Sequence, residues 1–224
     1  DFTIPVFIGN VFQQFYNMAD AIIVGKFVGT KGLAAVGSTG TIMFLIIGFL
    51  MGLTAGFTVL TSQKFGAGKM DEMRQSVGNA ALLSIIISVI MTAVSMVGMH
   101  PLLTLMHTPE DIFQDAYTYI MIICGGIFAQ VLYNILASIL RALGNSKTPL
   151  YFLILAALLN IVLDLTFIIV FHMGVAGAAW ATITAQGVSG MLCLIYIIKY
   201  VPELRLKADD WRFRSEIAKK EILV

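Results

Sequence analysis

Residues 33–62 read LAAVGSTGTIMFLIIGFLMGLTAGFTVLTS, and no side chain among them carries a charge. About 20 apolar residues cross the ~30 Å hydrocarbon layer of a bilayer. This run is longer than that, which predicts a helix that tilts or continues past the membrane. The rest of the chain repeats the pattern. Apolar runs bounded by charged residues or by Gly, Pro and Asn fall at 2–25, 33–62, 76–99, 113–140, 149–171 and 175–198. Run 113–140 is also over-long and carries the same expectation of tilt. Only 12% of the 224 residues are charged, against roughly 25% in a soluble domain, and the mean hydropathy is +0.90. The implied class is an all-α integral membrane protein, a bundle of six transmembrane helices over 1–199, whose short loops make successive helices antiparallel neighbours.

The net charge of +1 hides a strong segregation. Lys64, Lys69 and Arg74 follow the second run, Arg141 and Lys147 follow the fourth, and Lys199, Arg205, Lys207, Arg212, Arg214, Lys219 and Lys220 follow the sixth. Only Lys26 and Lys31 fall on the other side. By the positive-inside rule the even-numbered loops, the N-terminus and the tail are expected in the cytoplasm, with the lobe in the cell membrane. The tail, 200–224, reads as a linker; its stretch from Asp209 through Trp211, Arg212, Phe213 and Arg214 to Ile217 and Ile222 has the pattern of a capped, basic, amphipathic helix at the cytoplasmic interface. The first run lacks a basic n-region and contains Asp20, so no cleavable signal peptide is expected. The start at Asp1 and the stop at Val224 within a new apolar run are expected to be cuts in a longer chain.

Gly48, Gly52 and Gly56 recur every four residues on one helix face, a stripe that predicts close helix packing. Pro5 and Pro149 stand where they would open helices. Cys124 and Cys193 lie in apolar runs and read as small hydrophobes. His100, His107 and His172 fall far apart near the outer ends without ligand spacing, and no GxxxxGK[ST] phosphate loop is present. Nothing points to an enzyme, a cofactor or nucleic acid.

Two carboxylates, Asp20 and Asp164, lie well inside the runs; Asp115 stands at the start of one. An ionisable group at mid-membrane costs about 2.5–3.5 kcal/mol on insertion scales and is read first as functional. Asn160 precedes Asp164 by one helical turn, so the two share a face. An amide oxygen and a carboxylate suit a small hard cation such as Na⁺, and a desolvated carboxyl equally suits a proton. The competing reading is an interhelical hydrogen-bond network that only joins helices. Gln13, Tyr16, Asn17, Gln130, Tyr133, Asn134 and Gln186, with Gln14 and Thr182, are further polar residues within the runs and are candidates to line a hydrated substrate cavity.

The chain resembles the multidrug and toxic compound extrusion (MATE) family. The resemblance rests on Ile4-Pro5 with Gln13-Gln14-Phe15-Tyr16-Asn17-Met18-Ala19-Asp20, on Gln63-Lys64-Phe65-Gly66-Ala67-Gly68, and on Arg141-Ala142-Leu143-Gly144-Asn145-Ser146-Lys147-Thr148-Pro149. It continues in Asn160-Ile161-Val162-Leu163-Asp164 and Gly174-Val175-Ala176-Gly177-Ala178-Ala179-Trp180-Ala181-Thr182. The resemblance implies the N-terminal lobe of a twelve-helix transporter, facing a second, C-terminal lobe missing from these residues. It implies antiport of organic cations or amphipathic drugs against Na⁺ or H⁺, with the coupling ion held by Asp20, Asn160, Asp164 and Thr182; that quartet is the expected Na⁺ site if the ion is a metal. Membrane lipids and small cationic or amphipathic molecules are the expected partners. Two alternatives stand beside it. A lipid-linked oligosaccharide flippase of the same superfamily would want a basic cavity, yet no Lys or Arg lies within the runs. A non-transporting membrane scaffold subunit would leave the paired acids without a role.

Overall fold

The structure is a computed structural model that describes residues 3–222; the side chains of residues 3–6, 10, 13 and 208 lie outside that description, and with them Gln13 as a cavity candidate. Every extended element among the described residues is a helix. They are α1 (Thr3–Phe27), α2 (Thr30–Gly66), α3 (Met70–Leu105), α4 (Glu110–Gly125), α5 (Ile127–Ala142), α6 (Lys147–Leu165, prolonged by a π turn over Thr166–Val170), α7 (Val175–Tyr200) and α8 (Ser215–Ile222).

These helices make six passes. α2, α3, α6 with its π turn, and α7 are each long and apolar enough to cross a membrane alone, and α4 with α5 makes a fifth span. α1 has the length, 25 residues, but Gln13, Gln14, Asn17, Asp20 and Lys26 dilute its apolar character. At ~1.5 Å per residue the 37 residues of α2 reach about 55 Å, well beyond the hydrocarbon layer, as the over-long run 33–62 predicts. α3 matches it with 36 residues, Pro101 included.

The fourth pass departs from the sequence reading. Instead of one tilted helix over 113–140, the chain breaks between α4 and α5 with a bend of 47°. The cause is local. Gly126 sits against α7, and a Cβ there would strike the side chain of Ile183. Bending at a Gly-Gly pair is a known way for a helix to follow its neighbour.

Short loops are possible because helix ends are closed by their own backbones. At the end of α2, Gly68 N–H bonds the Phe65 carbonyl and Lys69 N–H the Lys64 carbonyl, with Gly68 at φ 72°. At the end of α5, Gly144 N–H bonds the Arg141 carbonyl and Asn145 N–H the Leu140 carbonyl, with Gly144 at φ 85°. Both are Schellman closures, which satisfy orphan carbonyls without water. His107, at φ 54°, ends α3 by the same bonding pattern, which gives that histidine a structural place.

α7 stands at the middle. It packs on α6, α5 and α4 through a buried row of small residues: Gly177, Ala178, Ala179, Ala181, Ala185, Ser189 and Gly190. The space saved is used directly, since a Cβ at Gly177 would stand 3.1 Å from Phe167 and one at Gly190 3.2 Å from Leu132. α1 lies on α6, while α2 packs on α3, α4 and α5. The stripe Gly48, Gly52 and Gly56 does not do the packing expected of it: a Cβ at any of the three would meet nothing within 4 Å. α2 faces the bundle with Ala35, Thr39, Ile42, Leu50, Thr54, Phe57 and Thr61 instead.

The tail also differs from its reading. Asp209 to Arg214 is not helical in the α sense; Ala208–Trp211 forms a 3₁₀ turn, and the helix, α8, begins at Ser215. Asp210 is buried there, its carboxylate accepting the Lys207 N–H at 2.7 Å, which uses the acid to close the turn. α8 packs under the ends of α2 and α3.

The break at Gly126 yields a stability prediction. Gly126→Leu forces Ile183 and α7 aside and is expected to cost about 1–3 kcal/mol, as overpacking does, seen as a lower thermal midpoint in detergent. Gly98→Ala, whose Cβ meets nothing within 4 Å, is the control and should leave the midpoint in place.

Candidate functional site

Toward the ends of the spans opposite the basic loops, α1, α4, α6 and α7 bring polar side chains into one buried cluster. Asp20 comes from α1, Asn160 and Asp164 from α6, Thr182 from α7; all four are buried, Asn160 and Asp164 completely. α7's small residues let α6 approach, and α1 then closes over α6. Asp20 and Asp164, 144 positions apart, are neighbours through their carboxyl groups. One oxygen of each, Oδ1, is buried and has no hydrogen-bond partner among the described residues.

Asn160 joins the two sides of the cluster. With its NH₂ turned to α6 it donates to Asp164 Oδ2 at 3.1 Å while its carbonyl accepts the Thr182 backbone N–H at 3.3 Å. Turned over, the NH₂ reaches Thr182 Oγ1 at 3.4 Å and the amide oxygen faces the carboxyl oxygen. Two acceptors face to face are tolerated only with a proton or cation between them. The Thr182 hydroxyl donates to the Ala178 carbonyl at 3.0 Å, leaving its lone pairs for other partners.

Two tyrosines complete the cluster. Tyr16, expected to line a cavity, lies beside Thr182 and within electrostatic reach of both acids, so it belongs with the quartet. Tyr119 of α4, absent from the sequence reading, is buried within reach of Asp20, Tyr16 and Asp164. A tyrosine in an apolar run gives no signal of this; the packing of α4 against α7 supplies it.

The other candidates go elsewhere. Tyr133 is buried and its hydroxyl donates to the Pro149 carbonyl at 2.9 Å, tying α5 to the start of α6 rather than lining a cavity. Asn134 donates to the Gln130 carbonyl at 2.8 Å along its own helix, and the Gln130 side chain is buried. Gln186 is half-buried on α7, and Asn17 is exposed on α1. Near Asn17, Val11, Gln14, Phe15 and Met18 line an open hollow of about 310 Å³ on the outer face of α1. No cluster of three or more His, Cys, Asp or Glu suited to a metal occurs among the described residues; the quartet has two carboxylates, one amide and one hydroxyl.

The MatE family model matches residues 5–166. The probable multidrug resistance protein YpnP of Bacillus subtilis is 36% identical over 97% of this chain and 49% of its own length. Among solved structures, a MOP superfamily transporter from Pyrococcus furiosus, described as having a binding pocket of reversed polarity that suggests a different function, superposes with a TM-score of 0.92 at 28% identity, over 99% of this chain and 49% of the other. The outward-facing conformation of a multidrug resistance MATE family transporter gives the same TM-score and identity, over 100% of this chain and 49% of the other. The chain spans about half the length of the curated relatives it matches. With the family pattern running through most of its residues and the same fold in solved relatives, the chain belongs to the MatE family of multi-pass membrane transporters.

Proposed function

We propose that this chain is the N-terminal lobe of a secondary active multidrug exporter in the cell membrane, and that Asp20, Asn160, Asp164 and Thr182 bind the coupling cation, Na⁺ or H⁺, in exchange for an organic cation or amphipathic drug. The observation that carries the reading is the meeting of Asp20 and Asp164 inside the membrane region, each with a buried oxygen lacking a hydrogen-bond partner among the described residues. Two ionised carboxylates side by side in a low-dielectric site repel each other, and a shared proton or a small cation removes that cost. The amide of Asn160 and the hydroxyls of Thr182, Tyr16 and Tyr119 then supply oxygens around the same point.

Coupling follows from differential affinity. A cation that binds one arrangement of α1 against α6 more tightly than the other shifts the lobe toward it, and a second lobe translates that shift into access for substrate. The organic substrate is bound away from the quartet, in the space between lobes. The basic loops after α2, α5 and α7 face the cytoplasm in this reading, which puts the quartet nearer the outside, where an entering ion arrives. Among the described residues Lys and Arg stand near helix ends or in the tail, so the spans offer no basic pocket for a pyrophosphate-linked lipid.

Orientation is checked first. A Cys replacing exposed Lys69, or exposed Lys147, should resist an impermeant thiol reagent added to intact cells and react after permeabilisation; labelling from outside reverses the assignment.

Coupling is checked in proteoliposomes holding the two-lobed transporter. Asp20→Asn and Asp164→Asn should each reduce ion-driven export to background without loss of insertion, because neutral side chains enter the membrane more easily. Asn160→Ala and Thr182→Ala remove neutral ligands, and are expected to raise the half-saturating Na⁺ about tenfold, equivalent to ~1.4 kcal/mol, with export recovering in a steeper gradient. For proton coupling, Thr182→Ala stays near wild type. Full export by both Asp→Asn variants would leave the acids as structural residues.

A further inference from the structure

Below the basic end of the bundle the chain from Val201 to Ile222 forms a strap. Its first part is fixed to α3. Asn79 Nδ2 donates to the Arg212 carbonyl at 3.4 Å and Asn79 Oδ1 accepts the Arg214 N–H at 2.8 Å. The Arg214 guanidinium donates to Gln75 Oε1 at 2.9 Å, and Arg74 faces Asp210 at 3.9 Å. The strap lies flush because residue 78 is glycine; a Cβ there would strike the Asp210 carbonyl.

The second part, α8, is held differently. Near its end Glu221 is only 2% exposed. Its Oε1 accepts from Ser76 Oγ at 2.8 Å, and Ser76 Oγ lies 2.9 Å from Thr61 Oγ1. Its Oε2 is buried without a hydrogen-bond partner among the described residues. Ser76 of α3, itself joined to Thr61 of α2, thus receives one oxygen of an acid, and the other oxygen makes no hydrogen bond among the described residues.

No charge answers this carboxyl. α8 packs on α2 and α3. From α2 the nearby charged group is Lys64, paired with Glu72. From α3 they are Glu72 and Arg74, the latter paired with Asp71 and Asp210. From the strap itself they are Asp209, Arg212, Arg214, Glu216, Lys219 and Lys220. Lys64, Glu72, Arg214, Glu216 and Lys220 line an adjacent groove of about 520 Å³, and none of these groups forms an ion pair or hydrogen bond with Glu221 among the described residues.

We propose that Glu221 is a proton-operated latch: protonated, it docks α8 against Thr61 of α2 and Ser76 of α3, and ionised, it lets α8 lift away about the fixed segment Asp209 to Arg214. A neutral carboxyl is tolerated in such a place, whereas an ionised one without a counter-charge is not. Burial pushes the carboxyl up to about 8 from its ordinary 4.5, while the Ser76 hydrogen bond opposes the rise. The docked state therefore holds the proton more tightly than the lifted state. Docking is at full strength below about 4.5, weakens up to tenfold per pH unit as pH rises toward 8, and is weakest above that. Acidification on the basic side of the lobe tightens the strap.

The test is a distance measurement between spin labels on Ser62→Cys and Lys219→Cys in the protein reconstituted in nanodiscs, with Cys124 and Cys193 replaced by Ala. A single short distance is expected at acid pH, giving way to longer, broader distances above pH 8. A second pair, Ser62→Cys with Arg212→Cys, reports the fixed segment and should not respond. Glu221→Gln, which mimics the neutral form, should stay docked throughout. Ser76→Ala removes the hydrogen bond that seats the carboxyl, weakens the docked state and should move the transition to lower pH. Distances that ignore pH, or a pH response that survives in Glu221→Gln, overturn the latch. If Glu221→Gln does not assemble, the Ser76→Ala arm decides, and a midpoint that stays in place or rises overturns it equally.

Discussion

The close approach of α7 to its neighbours is the constraint from which the rest of the lobe follows. Gly177, Ala178, Ala179, Ala181 and Ala185 present almost no side chain, so α4, α5 and α6 can lie near the α7 backbone, in the manner of small-residue contacts in membranes, where dispersion and not water drives association. The 47° break at Gly126 keeps α5 on α7 after α4 has passed Ile183. The approach also places Thr182, one turn beyond Ala178, beside Asn160 of α6. Larger side chains on this row would separate α6 from α7, and with them the two halves of the polar cluster.

Around that axis two kinds of acid have been buried in two kinds of setting. Asp20 and Asp164 share a cluster of amide, hydroxyl and phenol groups at the end away from the basic loops. Glu221 sits alone at the other end with a single hydroxyl donor. In both places a carboxyl oxygen is left without a hydrogen bond among the described residues, and most buried polar atoms in proteins have one.

Much of this was legible in the sequence. The six runs gave six passes because hydropathy reports the bilayer directly, and the cost of an acid in an apolar run singled out Asp20 and Asp164 before their neighbourhood was visible. What escaped depends on which neighbour a residue meets. The four-residue spacing of Gly48, Gly52 and Gly56 looks like a packing stripe, yet within these residues its face is open, while glycines that do permit contact, among them Gly78, Gly126, Gly177 and Gly190, do not recur every four residues. Tyr119 reads as an ordinary aromatic of an apolar run, and Glu221 as one more charge on a solvated helix, since neither shows from its own surroundings in the chain that it will be buried. The tail from Asp209 to Ile222 reads as one capped, basic, amphipathic helix; Asp210 closes a 3₁₀ turn instead, and the α-helix starts only at Ser215.

The π turn at the end of α6 has an effect on phase. Counting in α-helical steps from Asn160 and Asp164, the buried face should return at Ile168 and again at Phe171. Ile168 is buried, but Phe171 is 61% exposed. A π turn winds more residues into each turn than an α turn does, so the chain after Asp164 falls behind the α count and reaches Phe171 with the face rotated outward. The five residues from Thr166 to Val170 act as a slip in register, decoupling the angular position of the outer end of α6 from that of the acid two residues before them.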